Sequence, residues 1–403
     1  MHLARSIRTA TATLAVLGLL LTAERATAQL SGRSNPADFD ILLPQNITKV
    51  ERGKPEDRVL VTPQGQDSTV ALVHFTAGDR SIVVMPDGRL KSFLTRETSA
   101  TSRPFEPITK EALAKRLTSD QFKGFKTKQT KRFLYIYNAS DTFYTGTSKI
   151  LETMYPALFD YCKRNKIPVR EPAAPLVVIM FRTEGEYKAF HEIPDGVVAY
   201  YHSVANFTVM YENPTVESGK RLLSDIWQRQ VISVVAHEGV HQILFNIGAQ
   251  QRLSRWPMWI SEGLPEYFAA TDLGANIRWK GVGIVNDLRM LELQTYIKAA
   301  ATQVAPGDTV KAIVRARQLD STGYAISWAL VHFLAQKRTD KFLAYLREVS
   351  ELGPMEAFTP DESEQLFTRH FGDDFPELEQ MLLKHLKSLP FNDPFARYRA
   401  AGS

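Results

Sequence analysis

A chain of 403 residues with 44% hydrophobic and 23% charged residues has ordinary globular composition. It is long enough for about two domains and is far from the composition of a disordered chain. The formal charge of +5 is small for this length, which argues against a nucleic-acid binder or a protein of anionic membrane surfaces. Cys162 is the only cysteine, so no internal disulfide can form and stability must come from the core or from bound metal.

Residues 1–28 read as a secretory signal peptide: Arg5 and Arg8 precede the apolar run Leu14 to Leu21, and Ala26-Thr27-Ala28 forms an A-x-A cleavage site. The apolar run is too short to span a bilayer, the two arginines are not adjacent, and no cysteine follows Ala28 to take a lipid. The expectation is export to the periplasm or the extracellular space, with no stable membrane anchor after cleavage. Loss of Arg5, Arg8, Arg25 and Glu24 brings the charge from +5 to +3.

Residues 29–105 are expected to form a small β-rich domain and a linker. Four runs alternate apolar and polar residues, RVLVT, TVALVHF, SIVVM and LKSFL, separated by PQGQ, AGDR and PDGR. Period-2 runs with glycine-containing turns predict a small antiparallel sheet. Residues 97–107, rich in Ser, Thr and Pro, fit a linker or long loop.

Residues 106–403 mix their elements. KEALAKRL predicts a helix, RFLYIYN a strand, residues 143–165 a long amphipathic helix, APLVVIMF a buried strand, and residues 197–212 two strands joined by a turn. The basic run from Lys123 to Arg132 reads as a solvated face beside a strand. From about Leu222 the pattern is helical, apart from loops at 248–258, 272–284 and near Pro306. A sheet followed by helices is an α+β pattern.

The chemistry concentrates in HEGVH, His237 to His241. H-E-x-x-H arises by accident in about one chain in a hundred of this length, so its context matters. It lies in Asp225 to Ile247, an apolar stretch of about six helical turns ended by Gly248. On a helix, residues i and i+4 stack, so His237 and His241 can offer ring nitrogens to one metal ion. Glu238 points about 100° away and can reach a water without ligating the metal. Gly239 in mid-helix costs about 1 kcal/mol relative to Ala and suggests a close approach.

A catalytic zinc keeps three protein ligands and an open position, and Glu262 supplies a third. It opens WISEGLPEYFAA, with Ser261 as the expected N-cap and Pro265 in the first turn. Glu266, one turn on, is placed either to accept the second N–H of a ligating histidine or to stand solvated in the first turn.

HEGVH followed by WISEGLPEYF resembles the gluzincin branch of the HExxH metallopeptidases. More closely, it resembles a bacterial domain-of-unknown-function family in the same peptidase clan, whose members carry HExxHQ, a tryptophan and then E-G-x-x-x-Y-F. The resemblance runs from about residue 120 to the C-terminus, including PLVVIMF, NFTVMYE and YAISWALVHFL. It implies a zincin-like domain, with a mixed sheet, an active-site helix and a helical C-terminal half behind the small antiparallel domain. It implies Zn2+ held by His237, His241 and Glu262, with Glu238 as general base. Pro265 departs from the family's commoner alanine and puts the role of Glu266 in question more than that of Glu262. Gluzincins also stabilise an oxyanion with a Tyr or His from outside these motifs. Tyr324, at the start of STGYAISWALVHFL, fits that role by likeness to the tyrosine-bearing helix of related aminopeptidases, or is an interfacial core tyrosine; Tyr201 and His202 come next. His191 and His332 read as a surface and a core histidine.

The expectation is an exported zinc-dependent peptidase acting on a peptide or protein substrate, with no nucleic-acid partner. The alternatives are a catalytically inactive binding or structural module of the same shape, and a zinc hydrolase of a non-peptide amide or ester.

Overall fold

Alternation in the first part of the chain produces an antiparallel sheet with strands β1 (Val50–Arg52), β2 (Arg58–Val61), β3 (Thr69–Ala77), β4 (Arg80–Val84), β5 (Leu90–Leu94) and β6 (Ser99–Ala100). The computed structural model describes residues 50–65, 67–191, 193–213, 221–272, 278–300, 305–394 and 396. The leader expected over residues 1–28 lies outside them. The sheet order is β5-β4-β3-β2-β6, with β1 also on β3, every pairing antiparallel. Gly78, with φ of 59°, makes the tight β3–β4 turn.

Part of the segment expected as a linker belongs to this sheet, because β6 pairs with β2 and Thr101 N–H donates to Arg58 O at 3.0 Å. Ser99 and Ala100 form an exposed edge strand, where side chains are solvated and carry no strand signal.

The rest of the described chain is built on a second, mixed sheet. Its strands are β7 (Lys126–Gln129), β8 (Phe133–Tyr137), β9 (Leu176–Thr183), β10 (Ala199–His202) and β11 (Phe207–Asn213), in the order β10-β11-β9-β8-β7. The inner pairs β8/β9 and β9/β11 are parallel and the outer pairs antiparallel. Parallel strands covered on both faces read as unbroken apolar runs, and β8 and the first six residues of β9 are wholly buried. At the opposite edge, β7 is exposed throughout and displays the basic run to solvent.

Helices α1 (Lys110–Ser119), α2 (Asp141–Arg164) and α3 (Glu184–Phe190) connect these strands. Then follow α4 (Arg221–Ile247), α5 (Met258–Phe268), a hairpin of β12 (Thr271–Asp272) and β13 (Arg278–Trp279), and α6 (Asp287–Ala300), α7 (Asp308–Arg315), α8 (Ser321–Lys337), α9 (Thr339–Ser350), α10 (Pro360–Phe371) and α11 (Phe375–Ser388). The fold is α+β, with an antiparallel N-terminal sheet and a helical C-terminal half. At the centre of that half is α8, buried at nearly every position from Ser321 to Leu334. A helix apolar on all sides belongs inside the core, and α5, α6, α7, α9 and α11 pack around it.

A small apolar cluster of Phe75, Ala77, Ile82, Leu90 and Val204 joins the N-terminal sheet to the turn between β10 and β11. Beside it the buried Arg252 guanidinium donates to three carbonyls, Ser203 O at 2.6 Å, Gly88 O at 2.7 Å and Val204 O at 2.9 Å.

Candidate metal centre

The helix α4 carries HEGVH between the mixed sheet and α2. Gln242 donates to Val177 O of β9 at 2.9 Å, which fixes the rotation of α4 over the sheet. Gly239 marks the closest approach of α2: a Cβ there would stand 2.2 Å from Leu151 Cδ2. The helix stops at Gly248, whose φ is 83°, and Ile247 O accepts the Arg170 N–H at 2.8 Å.

The next helix starts earlier than the sequence suggests. α5 begins at Met258 behind Pro257, so Ser261 is not its N-cap, Glu262 does not open it, and Pro265 lies inside the helix rather than in its first turn. Burial explains the difference: Trp259 and Ile260 are fully buried, and helical geometry lets both enter the core. Pro265 has no N–H for the Ser261 carbonyl, a local loss that the packing of α5 on α8 outweighs. That packing is close at Gly263, where a Cβ would meet Ser327 O at 2.6 Å.

Together α4 and α5 bring His237, His241 and Glu262 to one point. His237 Nε2 lies 3.1 Å from Glu262 Oε2 and 3.2 Å from His241 Nε2, and His241 Nε2 lies 3.4 Å from Glu262 Oε2. A tetrahedral centre with bonds of about 2.0–2.1 Å has donor–donor edges of about 3.3–3.4 Å, so this triangle fits a metal ion. The three residues are buried, at 4%, 2% and 1% exposure. Packed so closely out of water, these atoms need a proton or a metal ion among them to offset the repulsion of their lone pairs. This buried group could hold a metal ion.

The surrounding charges favour a cation. Burial opposes a charged His237, but Glu266 and Glu262 outweigh it and raise its pKa to about 10. Glu262 is held well below the usual carboxylate range: burial works against the charge, and His241 and His237 overcome it. Glu266, also disfavoured by burial, is brought down to about 2 by Arg289 and His237.

Glu266 Oε1 lies 2.8 Å from His237 Nδ1, an ion-pair contact rather than an in-line hydrogen bond. At 3% exposure it is not a solvated first-turn glutamate. Arg289 Nη2 donates to Glu266 Oε1 at 2.8 Å and Asn286 Nδ2 to Oε2 at 2.9 Å. His241 Nδ1 has no hydrogen-bond partner among the described residues, and its ring stacks on Phe245 instead.

Glu238 lies on the β10 side of the trio, where its Oε2 accepts the Tyr201 N–H at 2.8 Å. Its Oε1 is buried with no hydrogen-bond partner among the described residues. Burial raises its pKa, against the pull of His237 and His241. The Tyr324 ring, in the first turn of α8, stands 5.9 Å from the His237 ring, with the Arg289 guanidinium 5.5 Å from its centroid. Tyr201 stacks on Phe245 and its phenol donates to Asn206 Oδ1 at 2.7 Å, so what it turns to Glu238 is its backbone. His202, next along β10, faces away from α4 towards His191. His332 is in the core and His191 is half-buried.

Residues 231–356 match the family described as Protein of unknown function (DUF1570). The matched segment runs from within α4 through α9, so it spans HEGVH, Glu262, Glu266, Arg289 and Tyr324. The chain matches none of the curated proteins.

The sequence reading did not find Asn286, Arg289 or the Tyr201 N–H. Asn286 and Arg289 stand at the start of α6 with no motif around them, and a main-chain donor has no residue signature.

Proposed function

We propose that this chain is a zinc-dependent peptidase of gluzincin type, exported behind the leader over residues 1–28. The observation that carries the reading is the buried His237–His241–Glu262 triangle with the Glu238 carboxylate anchored beside it. Two imidazoles and a carboxylate are a donor set suited to zinc. Zinc, when bound, supplies Lewis acidity: it brings the pKa of water down towards about 7 and polarises a carbonyl oxygen.

The remaining roles belong to the chain. The Tyr201 N–H fixes Glu238 through Oε2, leaving Oε1 to take a proton from the attacking water and pass it to the leaving amine. The Tyr324 phenol, whose ring stands 5.9 Å from that of His237, is assigned to the developing oxyanion. Arg289 and Asn286 hold Glu266, and Glu266 sets the orientation of His237.

A second reading draws on the burial itself. With the three ligands and Glu238 all at 4% exposure or less, a metal that only ties α4 to α5 is also consistent with the packing. Elemental analysis of the mature protein, run beside a peptide-library cleavage assay, separates the two. The peptidase reading expects one zinc per chain, lost in Glu262→Ala and retained in Glu238→Gln and Tyr324→Phe. Cleavage should be abolished in Glu238→Gln and reduced about 10²–10³-fold in Tyr324→Phe. Stoichiometric zinc with no cleavage would move the assignment to the structural module, or to a hydrolase of other amides or esters if a panel of those is turned over. Absence of zinc would overturn both.

A further inference from the structure

Behind β10, on the face away from the metal centre, lies a cavity of about 180 Å³. Strand alternation puts it there: Tyr201 turns its ring to Phe245 of α4, while Tyr200 and His202 on either side turn towards Tyr187 and His191. Leu117 of α1, Phe190 of α3, Tyr200, Phe207 and Val209 form an apolar wall, and Arg89 and Arg116 also line the cavity.

The two arginines give it its polarity. Both guanidiniums converge on one buried carboxylate, with Arg89 Nη2 at 2.8 Å and Arg116 Nη2 at 2.6 Å from Asp87 Oδ2. Asp87 is the one carboxylate facing both lining guanidiniums, and Arg252, whose charge also reaches Asp87, is bonded to three backbone carbonyls, so the cluster carries positive charge in excess. The arginine side chains are 40% and 46% exposed, which places the excess at the solvent side. His202 adds no charge, because its Nδ1 accepts the Ala205 N–H at 3.0 Å and burial lowers its pKa to about 3.

Size and charge together narrow the occupant. An apolar cavity of about 150 Å³ accommodates benzene, so this one takes a single ring. The two guanidiniums at its solvent side favour a ring that carries an anionic group over a neutral one. We propose that the cavity is a binding site for a small aromatic monocarboxylate, its ring against Phe190, Tyr200 and Phe207 and its carboxylate at Arg89 and Arg116. The site is separate from the metal centre and does not depend on the peptidase reading.

Isothermal titration of the mature protein with phenylacetate, and with benzyl alcohol as its uncharged counterpart, tests this. The expected result is saturable one-to-one binding of phenylacetate. Affinity should be at least about ten-fold weaker for benzyl alcohol, and for phenylacetate on Arg116→Gln, the loss of a charge-assisted contact. Ala205→Phe, which fills the cavity, should abolish binding. Arg116 is exposed and its replacement leaves the Arg89–Asp87 pair, so that variant and the uncharged ligand carry the test should Ala205→Phe not fold. No saturable binding of phenylacetate, equal affinity for benzyl alcohol, or unchanged binding to a folded Ala205→Phe would each overturn the proposal.

Discussion

At the scale of single residues, the centre depends on a chain of contacts that ends outside the ligand motifs. Arg289 reaches Glu266, and Glu266 reaches the ring nitrogen of His237 opposite the one turned to the metal position. Removing such an outer partner typically costs 10–100-fold in metal affinity. Glu266→Gln is expected to lower zinc affinity by about that factor, read by competition with a chromophoric chelator. Arg289 keeps Glu292 at 2.9 Å, so the change does not strand a buried cation. Unchanged affinity with reduced folding stability would mean that Glu266 only anchors Arg289. The asymmetry between the histidines is informative too: His237 Nδ1 has a carboxylate, whereas His241 is held by stacking on Phe245.

At the scale of elements, two glycines record where helices touch. Gly263 lies against backbone, with Ser327 O and C within 2.6 and 2.8 Å of a would-be Cβ, whereas Gly239 meets the tip of the Leu151 side chain. Backbone cannot rotate aside, so Gly263→Ala should be destabilising by about 1–3 kcal/mol and should shift Glu262 beside it. Gly239→Ala gains about 1 kcal/mol of helix propensity against a side chain able to move, so it should be the milder change. Urea midpoints of the two variants check this, and the reverse order would show that α2 and not α8 sets the position of the centre. The same contrast separates what the sequence revealed from what it did not. His237 and His241 were legible as a pair because helical spacing alone stacks i and i+4. The strands β3, β4, β8 and β9 were legible because period and run length are local. The start of α5 was not, since Ser261 has N-cap chemistry but burial of Trp259 and Ile260 carries the helix back to Met258. Asn286 and Arg289 reach Glu266 across twenty or more residues, and β6 lies on an edge where nothing needs to be apolar.

At the scale of the whole molecule, the N-terminal sheet is joined to the rest through a polar clasp that acid should loosen. A bulge in β3, between Val73 and Phe75, sets His74 apart from the regular register. Its Nε2 donates to Arg252 O at 2.8 Å, and the Arg252 guanidinium holds the Gly88, Ser203 and Val204 carbonyls. Burial, together with the charges of Arg252, Arg170 and Arg52, lowers the His74 pKa to about 3, only partly offset by the bond to Arg252 O. The fold therefore keeps the imidazole neutral, while the unfolded chain protonates it at its ordinary value of 6.5. The stability it contributes is complete above about pH 6.5 and is withdrawn as pH falls towards about 3, because over that interval the unfolded state binds the extra proton. Each unit of depression carries about 1.4 kcal/mol, so this one residue should account for a few kcal/mol. His202 and His332, lowered to about 3 and about 4, add to the same slope. Urea midpoints measured from pH 7 to pH 4 should therefore fall for the wild type and fall less steeply for His74→Gln, whose amide can still donate to Arg252 O but does not titrate. Identical slopes would show that His74 is as readily protonated in the folded protein as in the unfolded one.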